Sequence, residues 1–241
     1  LVGSEMCIRD SLTLRGNAPP QILGNTVIAG FDNGRLMAIT LAGGSTLWDV
    51  AVGQSHGSSE LQRLIDIDSS TAVDGEDLFT VSYQGRVARI ARETGQLLWS
   101  HDLSSYRGLV LGGDALFVAT AEGQIVKLDR STGAELWKQD LLLRRQLSAP
   151  GLLGEYLLVA DYKGVVHWLN ASDGRFVARS SAGYRVSMPP VVAGDLALVT
   201  NDKGLVSAFR VRGTLPGRSK ATQSVAPAPT AQPVDAEQSG S

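Results

Sequence analysis

Three groups of residues could do chemistry by their type and spacing. Gly53-Gln54-Ser55-His56-Gly57 fits G-x-S-x-G, the turn that lifts a nucleophilic serine between a strand and a helix. His56, His101 and His167 offer imidazoles for a metal or a proton. Asp66-Ile67-Asp68 puts two carboxylates on one side of an extended segment, because side chains alternate with period two. The catalytic readings fail on context. The serine motif needs an α/β surrounding, and here it lies in a loop of an all-strand pattern. The histidines show no H-x-H or H-x-x-x-H spacing that would bring two to one metal. A single cysteine, Cys7, excludes an intramolecular disulfide and a C-x-x-C site. The sequence therefore nominates no catalytic, cofactor-binding or metal-binding residue. His167 beside Trp168 reads as strand packing, and Arg144-Arg145, after the leucines at 141–143, as a solvated basic loop.

The chain has 241 residues and a net charge of −2. It lacks the electropositive footprint of a nucleic-acid binder. No apolar run approaches the roughly 20 residues of a membrane-spanning helix.

What must position these groups is a repeat, clearest at residues 113–137. An apolar strand is followed by a turn at Glu122-Gly123, a second strand, a turn at Ser131-Thr132-Gly133, and a third strand opened by Leu136-Trp137. An opening glycine recurs ten residues before a turn glycine in five copies: Gly24 and Gly34, Gly75 and Gly85, Gly113 and Gly123, Gly154 and Gly164, Gly194 and Gly204. A further glycine follows at Gly44, Gly95, Gly133 and Gly174, and a tryptophan at Trp48, Trp99 and Trp137. The fourth copy has Ala178 where tryptophan is expected, with Phe176 nearby. A short apolar strand precedes each opening glycine, so each period of about 40 residues holds four strands, the pattern of a propeller blade. A two-sheet sandwich would give each strand one polar face, but strands such as Leu157-Leu158-Val159-Ala160 are apolar on both. Tryptophan on the outermost strand is expected to fill the gap between adjacent blades.

Residues 1–11 fit nothing that follows and read as a non-native segment; residues 12–212 read as a partial β-propeller. Residues 213–241, rich in Pro, Ala, Ser and Gln, cannot bury enough apolar surface to offset chain entropy and are expected to be disordered. The fifth copy stops near Phe209-Arg210 without a second glycine or a tryptophan, so about five blades of a larger ring are expected. A chain with open blade faces is expected to associate or misfold when expressed alone.

The turn glycines are 51, 38, 41 and 40 residues apart. The longest interval carries an insertion of about ten residues between Trp48 and Thr71, in the connection from one blade's outer strand to the next blade's inner strand. Residues 12–16 occupy the corresponding connection before Pro20. The two segments should therefore be neighbours on one face. Leu12 and Leu14 with Arg15 and the Asp66, Asp68 pair would make an apolar anchor with charged edges, the anatomy of an interface hot spot. Spacing alone favours instead a set of packing leucines, turn-capping aspartates and an internal Arg15 pair.

Leu128-Asp129-Arg130-Ser131-Thr132-Gly133-Ala134-Glu135-Leu136-Trp137, echoed by residues 90–99, resembles the tryptophan-docking repeat of quinoprotein (PQQ-type) propellers. Residues 12–16 and 59–69 resemble segments of the BamB family, lipoproteins of the outer-membrane β-barrel assembly machine, and the likeness extends over about residues 12–212. That resemblance implies an eight-bladed propeller of which about five blades are present. It implies a non-catalytic scaffold at the periplasmic face of the outer membrane, held by a lipid anchor outside this sequence and needing no cofactor. It also implies docking of Leu12, Leu14, Arg15, Asp66 and Asp68 on the POTRA domains of BamA, with unfolded outer-membrane proteins as further partners. The alternative is a fragment of a PQQ-dependent quinoprotein dehydrogenase, which would need a calcium-liganding carboxylate, a catalytic Asp and commonly a vicinal Cys pair. A third reading is a scaffold that binds extended peptides by edge pairing.

Overall fold

The computed structural model describes residues 19–31, 34–53, 67, 71–83 and 85–211. Residues 1–18, the Asp66 and Asp68 positions and residues 212–241 lie outside this set, so the expectations for both ends of the chain do too.

The elements are all strands, in five antiparallel sheets. The first sheet is β1 (Gln21–Leu23), β2 (Thr26–Gly30), β3 (Arg35–Thr40) and β4 (Thr46–Ala51). The second is β5 (Ala72–Asp74), β6 (Asp77–Val81), β7 (Arg86–Ala91) and β8 (Leu97–Asp102). The third is β9 (Leu109–Gly112), β10 (Ala115–Ala119), β11 (Ile125–Asp129) and β12 (Glu135–Gln139). The fourth is β13 (Gly151–Leu153), β14 (Tyr156–Ala160), β15 (Val165–Asn170) and β16 (Phe176–Ser181). The fifth holds β17 (Val191–Ala193), β18 (Leu196–Thr200) and β19 (Val206–Arg210). Each sheet is a meander in chain order, the blade of an all-β propeller.

Burial along the second strand of each blade shows how the sheets stack. All of β10 is buried, as are four residues each of β6 and β14, because these strands have a sheet on both faces. β2 and β18, in the first and fifth sheets, are only partly buried. The apolar core is therefore a series of inter-blade layers, such as Phe79, Val87, Leu116 and Val118 between blades two and three.

The glycine spacing marks what holds these layers in register. The opening glycines Gly24, Gly75, Gly113, Gly154 and Gly194 all take φ between 57° and 63°, the left-handed turn that residues with a Cβ resist. The later glycines serve the next layer. A Cβ on Gly95, Gly133 or Gly174 would lie 2.6–2.8 Å from the ring of Trp48, Trp99 or Trp137 of the preceding blade. The indole Nε1–H of Trp48 donates to the Arg92 carbonyl (2.8 Å), that of Trp99 to Arg130 (3.0 Å) and that of Trp137 to Ala171 (3.2 Å). Tryptophan fills the gap between blades as expected, and it also bonds the turn it covers.

The fourth blade solves the same problem by exchanging two residues across a strand pair. The docked tryptophans sit opposite Ala38, Arg89 and Lys127; in blade four Trp168 on β15 sits opposite Ala178 on β16. Trp168 bonds Ser180 Oγ within its own blade and meets Phe209 of blade five edge-on, centroids 6.0 Å apart. Phe176 turns instead toward His167. In all four complete blades the ladder between the last two strands shifts immediately after this pair. The skipped residues, Leu47, Leu98, Leu136 and Val177, are exposed on the outer strands.

Candidate functional site

Each blade gives its turns to two opposite faces. The turns β1–β2 and β3–β4, and their counterparts in later blades, lie on one; the β2–β3 turns and the connections to the next blade lie on the other. On this second, connector face the backbone is tied on both sides. Ser105 N–H of the connector after blade two donates to Ser82 in the turn of the blade it leaves, while Ala121 N–H in the turn of the blade it enters donates to Ser104. The next connector repeats this through Arg144 N–H to Glu122 O and Tyr162 N–H to Arg145 O. The one after uses Ala182 N–H to Gly164 O and Asp202 N–H to Arg185 O.

Three residues before each turn glycine stands a buried side-chain acceptor: Ser82, Thr120, Asp161 and Asn201 in blades two to five. Each accepts the backbone N–H four residues on, from Arg86, Gln124, Val165 and Leu205 respectively, at 2.9–3.1 Å. The side chain thereby closes a turn whose backbone groups would otherwise lie unpaired next to the core.

Asp161 is the one member of this column that carries a charge, and its surroundings differ accordingly. Its side chain is 1% exposed. Oδ1 accepts from the N–H groups of Lys163 and Val165, and Oδ2 receives Arg145 from the connector and Nε2 of His167 on β15, the latter at 3.0 Å. Burial pushes the Asp161 carboxyl up, but the hydrogen bonds from His167, Val165 N–H and Arg145 outweigh it and its pKa lies below the ordinary value. For His167 burial dominates over the pull of Asp161, so its pKa lies below the usual imidazole value. The neutral ring donates from Nε2, and its buried Nδ1 has no partner among the described residues. Two expectations are corrected here. His167 is in strand β15 but is a member of a buried polar cluster, and Arg145 is not a free solvated cation because it closes an ion pair with Asp161. Arg144 and Gln146 on either side hold left-handed backbone (φ 61° and 52°), which turns Arg145 inward.

The rest of the connector face is basic and aromatic. Arg107 lies 4.7 Å over the Tyr106 ring, Arg185 5.2 Å over Tyr162, and Lys203 4.3 Å over Tyr184. A cavity of about 260 Å³ opens where three connectors converge, lined by Arg107, Gln146, Tyr162, Arg185, Ser187 and Asp202. Leu141 and Leu143 are exposed beside it in sequence, with Leu142 buried between them.

The five residues nominated for docking, Leu12, Leu14, Arg15, Asp66 and Asp68, lie outside the described residues, as do Cys7 and residues 54–57 of the serine motif with His56. Their described flanks meet. The Gln21 amide at the start of β1 donates to the carbonyl of Thr71, just before β5, at 2.6 Å. Ile67, between the two aspartates, is buried against Gly30, where a Cβ would lie 2.7 Å from its side chain. Among the described residues no group of three or more His, Cys, Asp or Glu is placed to hold a metal ion. Sequence reasoning missed the Asp161 cluster, although the polar column three residues before each turn glycine was visible once the repeat was aligned.

A family model described as outer membrane protein assembly factor BamB matches residues 8–139 and 121–215. Outer membrane protein assembly factor BamB of Pseudomonas aeruginosa is 40% identical over 204 residues, 83% of this chain and 53% of its own length. The chain thus spans about half the length of the curated relatives it matches. The crystal structure of BamB from Moraxella catarrhalis is similar with a TM-score of 0.78 at 31% identity, over 83% of this chain and 60% of that one. A europium-containing methanol dehydrogenase superposes with a TM-score of 0.55 at 12% identity, over 69% of this chain and 42% of that one, a likeness of fold alone.

Proposed function

The chain belongs to the BamB family of outer-membrane protein assembly factors, and from that premise we propose that it is a non-catalytic scaffold of the β-barrel assembly machine, docking through its connector face on the POTRA domains of BamA. It would work at the periplasmic face of the outer membrane and assist insertion of outer-membrane proteins. The docking residues are Leu12, Leu14 and Arg15 on one connector and Asp66 and Asp68 on the next.

The observation that carries this reading is the hydrogen bond from Gln21 to the Thr71 carbonyl. It joins the strand that follows the first segment to the residue that closes the second, and this meeting of their described flanks, about fifty residues apart in sequence, supports reading the two segments as one patch. Burial of Ile67 against Gly30 supports it further. The dehydrogenase reading rests on a likeness of fold, which many unrelated functions share.

The test is retention of BamA POTRA domains by the protein against Arg15→Ala and the Asp66→Ala, Asp68→Ala double variant. Loss of about tenfold or more in affinity is expected for each, since truncating one side of a hydrogen-bonded charge pair at an interface is costly. Unchanged binding by folded variants refutes the assignment.

A further inference from the structure

We infer that the cavity at the convergence of the connectors after blades two, three and four is a subsite for the carboxylate side chain of an acidic peptide segment. The inference rests on the reading of the connector face as the docking face and adds a second, separate contact to it.

The charge balance of the cavity comes first. Two guanidiniums, Arg107 and Arg185, line it together with a single carboxylate, Asp202. Asp202 is already saturated: it holds Arg185 through Oδ2 and receives both Ser187 N–H (3.0 Å) and Ser187 Oγ–H (2.7 Å) at Oδ1. Arg185 is thereby neutralised within the fold. Among the described residues Arg107 has no ion pair. Among the described residues its guanidinium makes one hydrogen bond, from Nη1 to the Ser187 carbonyl across the cavity at the outer limit of 3.5 Å, beside its stacking on the ring of Tyr106, and its Nε is shielded from solvent with no acceptor. A shielded Nε–H without an acceptor is a costly arrangement, and on the open side of the same guanidinium a carboxylate would supply the missing countercharge in fork geometry.

The walls select the kind of molecule that brings the carboxylate. An adjoining cavity of about 290 Å³ shares Tyr162 and Arg185 and adds Lys163, Gly183 and Tyr184. Lys163 stands exposed at this second opening, and Lys203 is exposed over its Tyr184. Tyrosine faces beside cations suit a peptide in which acidic side chains alternate with apolar or aromatic ones. A lone terminal carboxylate would leave the outer cations and the tyrosine shelf unused, so the site is assigned to Asp or Glu side chains.

The test titrates the 241-residue chain with a fluorescent acetylated and amidated Glu-Tyr-Glu-Ala-Glu peptide. The same peptide with Gln for Glu and a Gln version with a free C-terminus are run alongside, with binding read by anisotropy. The Glu peptide should bind and both others should not. Arg107→Gln should weaken it by about tenfold to a hundredfold, the effect of one charge-assisted hydrogen-bonded pair. Arg107→Lys should be intermediate, and Arg175→Gln on the opposite face unchanged. Circular dichroism melting identifies variants that have not folded, and Tyr162→Leu, which keeps every charge, gives a second reading through loss of the shelf. Equal binding of Glu and Gln peptides, or no change in folded Arg107→Gln, overturns the proposal. So does equal weakening by Lys203→Gln, which would mean a diffuse basic patch, or binding of the free-C-terminus peptide alone. POTRA binding by the same variants separates the two proposals: Arg15 and Asp66 govern that assay, and the free peptide does not report on it.

Discussion

The turn face and the connector face are made by the same sheets, but they obey different rules. On the turn face the first three blades dock on the next in the same way. Tryptophans at 48, 99 and 137 cover Gly95, Gly133 and Gly174 with nearly the same spacing, and acidic turn residues are held by neighbouring arginines, as Asp74 by Arg130, Asp77 by Arg89 and Asp195 by Arg210. On the connector face only the backbone pattern repeats. The side chains differ from blade to blade, are basic and aromatic, and include a buried ion cluster present in one blade alone among those described. Stacking requires identical joints, because each blade can bury its faces only against its neighbours. Recognition requires places where the copies differ. A propeller meets both demands by assigning them to opposite ends of its strands.

That division can be broken most severely at Asp161. Asp161→Ala strands Arg145, the Nε2–H of His167 and two backbone N–H groups next to the core. A loss of about 3–5 kcal/mol is expected from breaking such a buried pair, a fall of roughly 6–20 °C in melting temperature for a domain of this size. The matched change on the turn face, Asp129→Ala, removes a partly exposed carboxylate that binds Ser131 and Thr132 and should shift the melt far less. Equal shifts would mean that the two faces are not distinct in this respect.

The joints come next. Gly133→Ala should cost about 1–3 kcal/mol, from left-handed backbone (φ 74°) and a Cβ 2.6 Å from the Trp99 ring. In the Gly133→Ala, Trp99→Ala double variant the ring is gone and only the backbone strain remains. The two changes should therefore be less than additive in chemical denaturation. Strict additivity would show that tryptophan and glycine do not act as one joint.

The smallest effect is in pH dependence. His167 is held neutral by burial, with its pKa below the ordinary value, so the unfolded chain binds a proton more readily than the folded one. Its contribution is present above about pH 6.5, the ordinary imidazole value, and is lost as pH falls toward the lowered folded value. On the turn face Asp129 is lowered to about 2, chiefly by the Ser131 and Thr132 hydrogen bonds, so its contribution persists to far more acid conditions and is lost between the ordinary carboxylate range and about pH 2. Melts followed by NMR should show the connector face weakening first on acidification, and His167→Phe should remove that early step. An unchanged profile for His167→Phe would assign the step elsewhere.

The sequence made the turn face almost fully legible. Glycine with positive φ, tryptophan at a fixed offset and strands apolar on both faces are local signals, and each recurs often enough to be aligned. The exchange at blade four was half legible: Ala178 marked the missing tryptophan, but only pairing across β15 and β16 shows that Trp168 replaces it. The connector face was read less well because its contacts join residues far apart in the chain. Arg145, Asp161 and His167 come from a connector, a turn and a strand, and Arg107 meets Ser187 across 80 residues. No periodicity announces such meetings. The polar column of Ser82, Thr120, Asp161 and Asn201 was the available clue, since a charged residue in a column of neutral buried ones requires a countercharge.

The paired backbone bonds of each connector have a mechanical consequence. A partner that pulls on a loop fastened at one end can peel it away one bond at a time. Each of the three connectors after blades two, three and four is fastened to the turn it leaves and the turn it enters, so a pull on it loads two blades together and must stretch bonds to both at once. Force applied at this face is therefore passed to whole sheets, which turn or translate as a block before any strand frays. A partner that swings on its own hinge would carry the stacked sheets along as a lever carries a load.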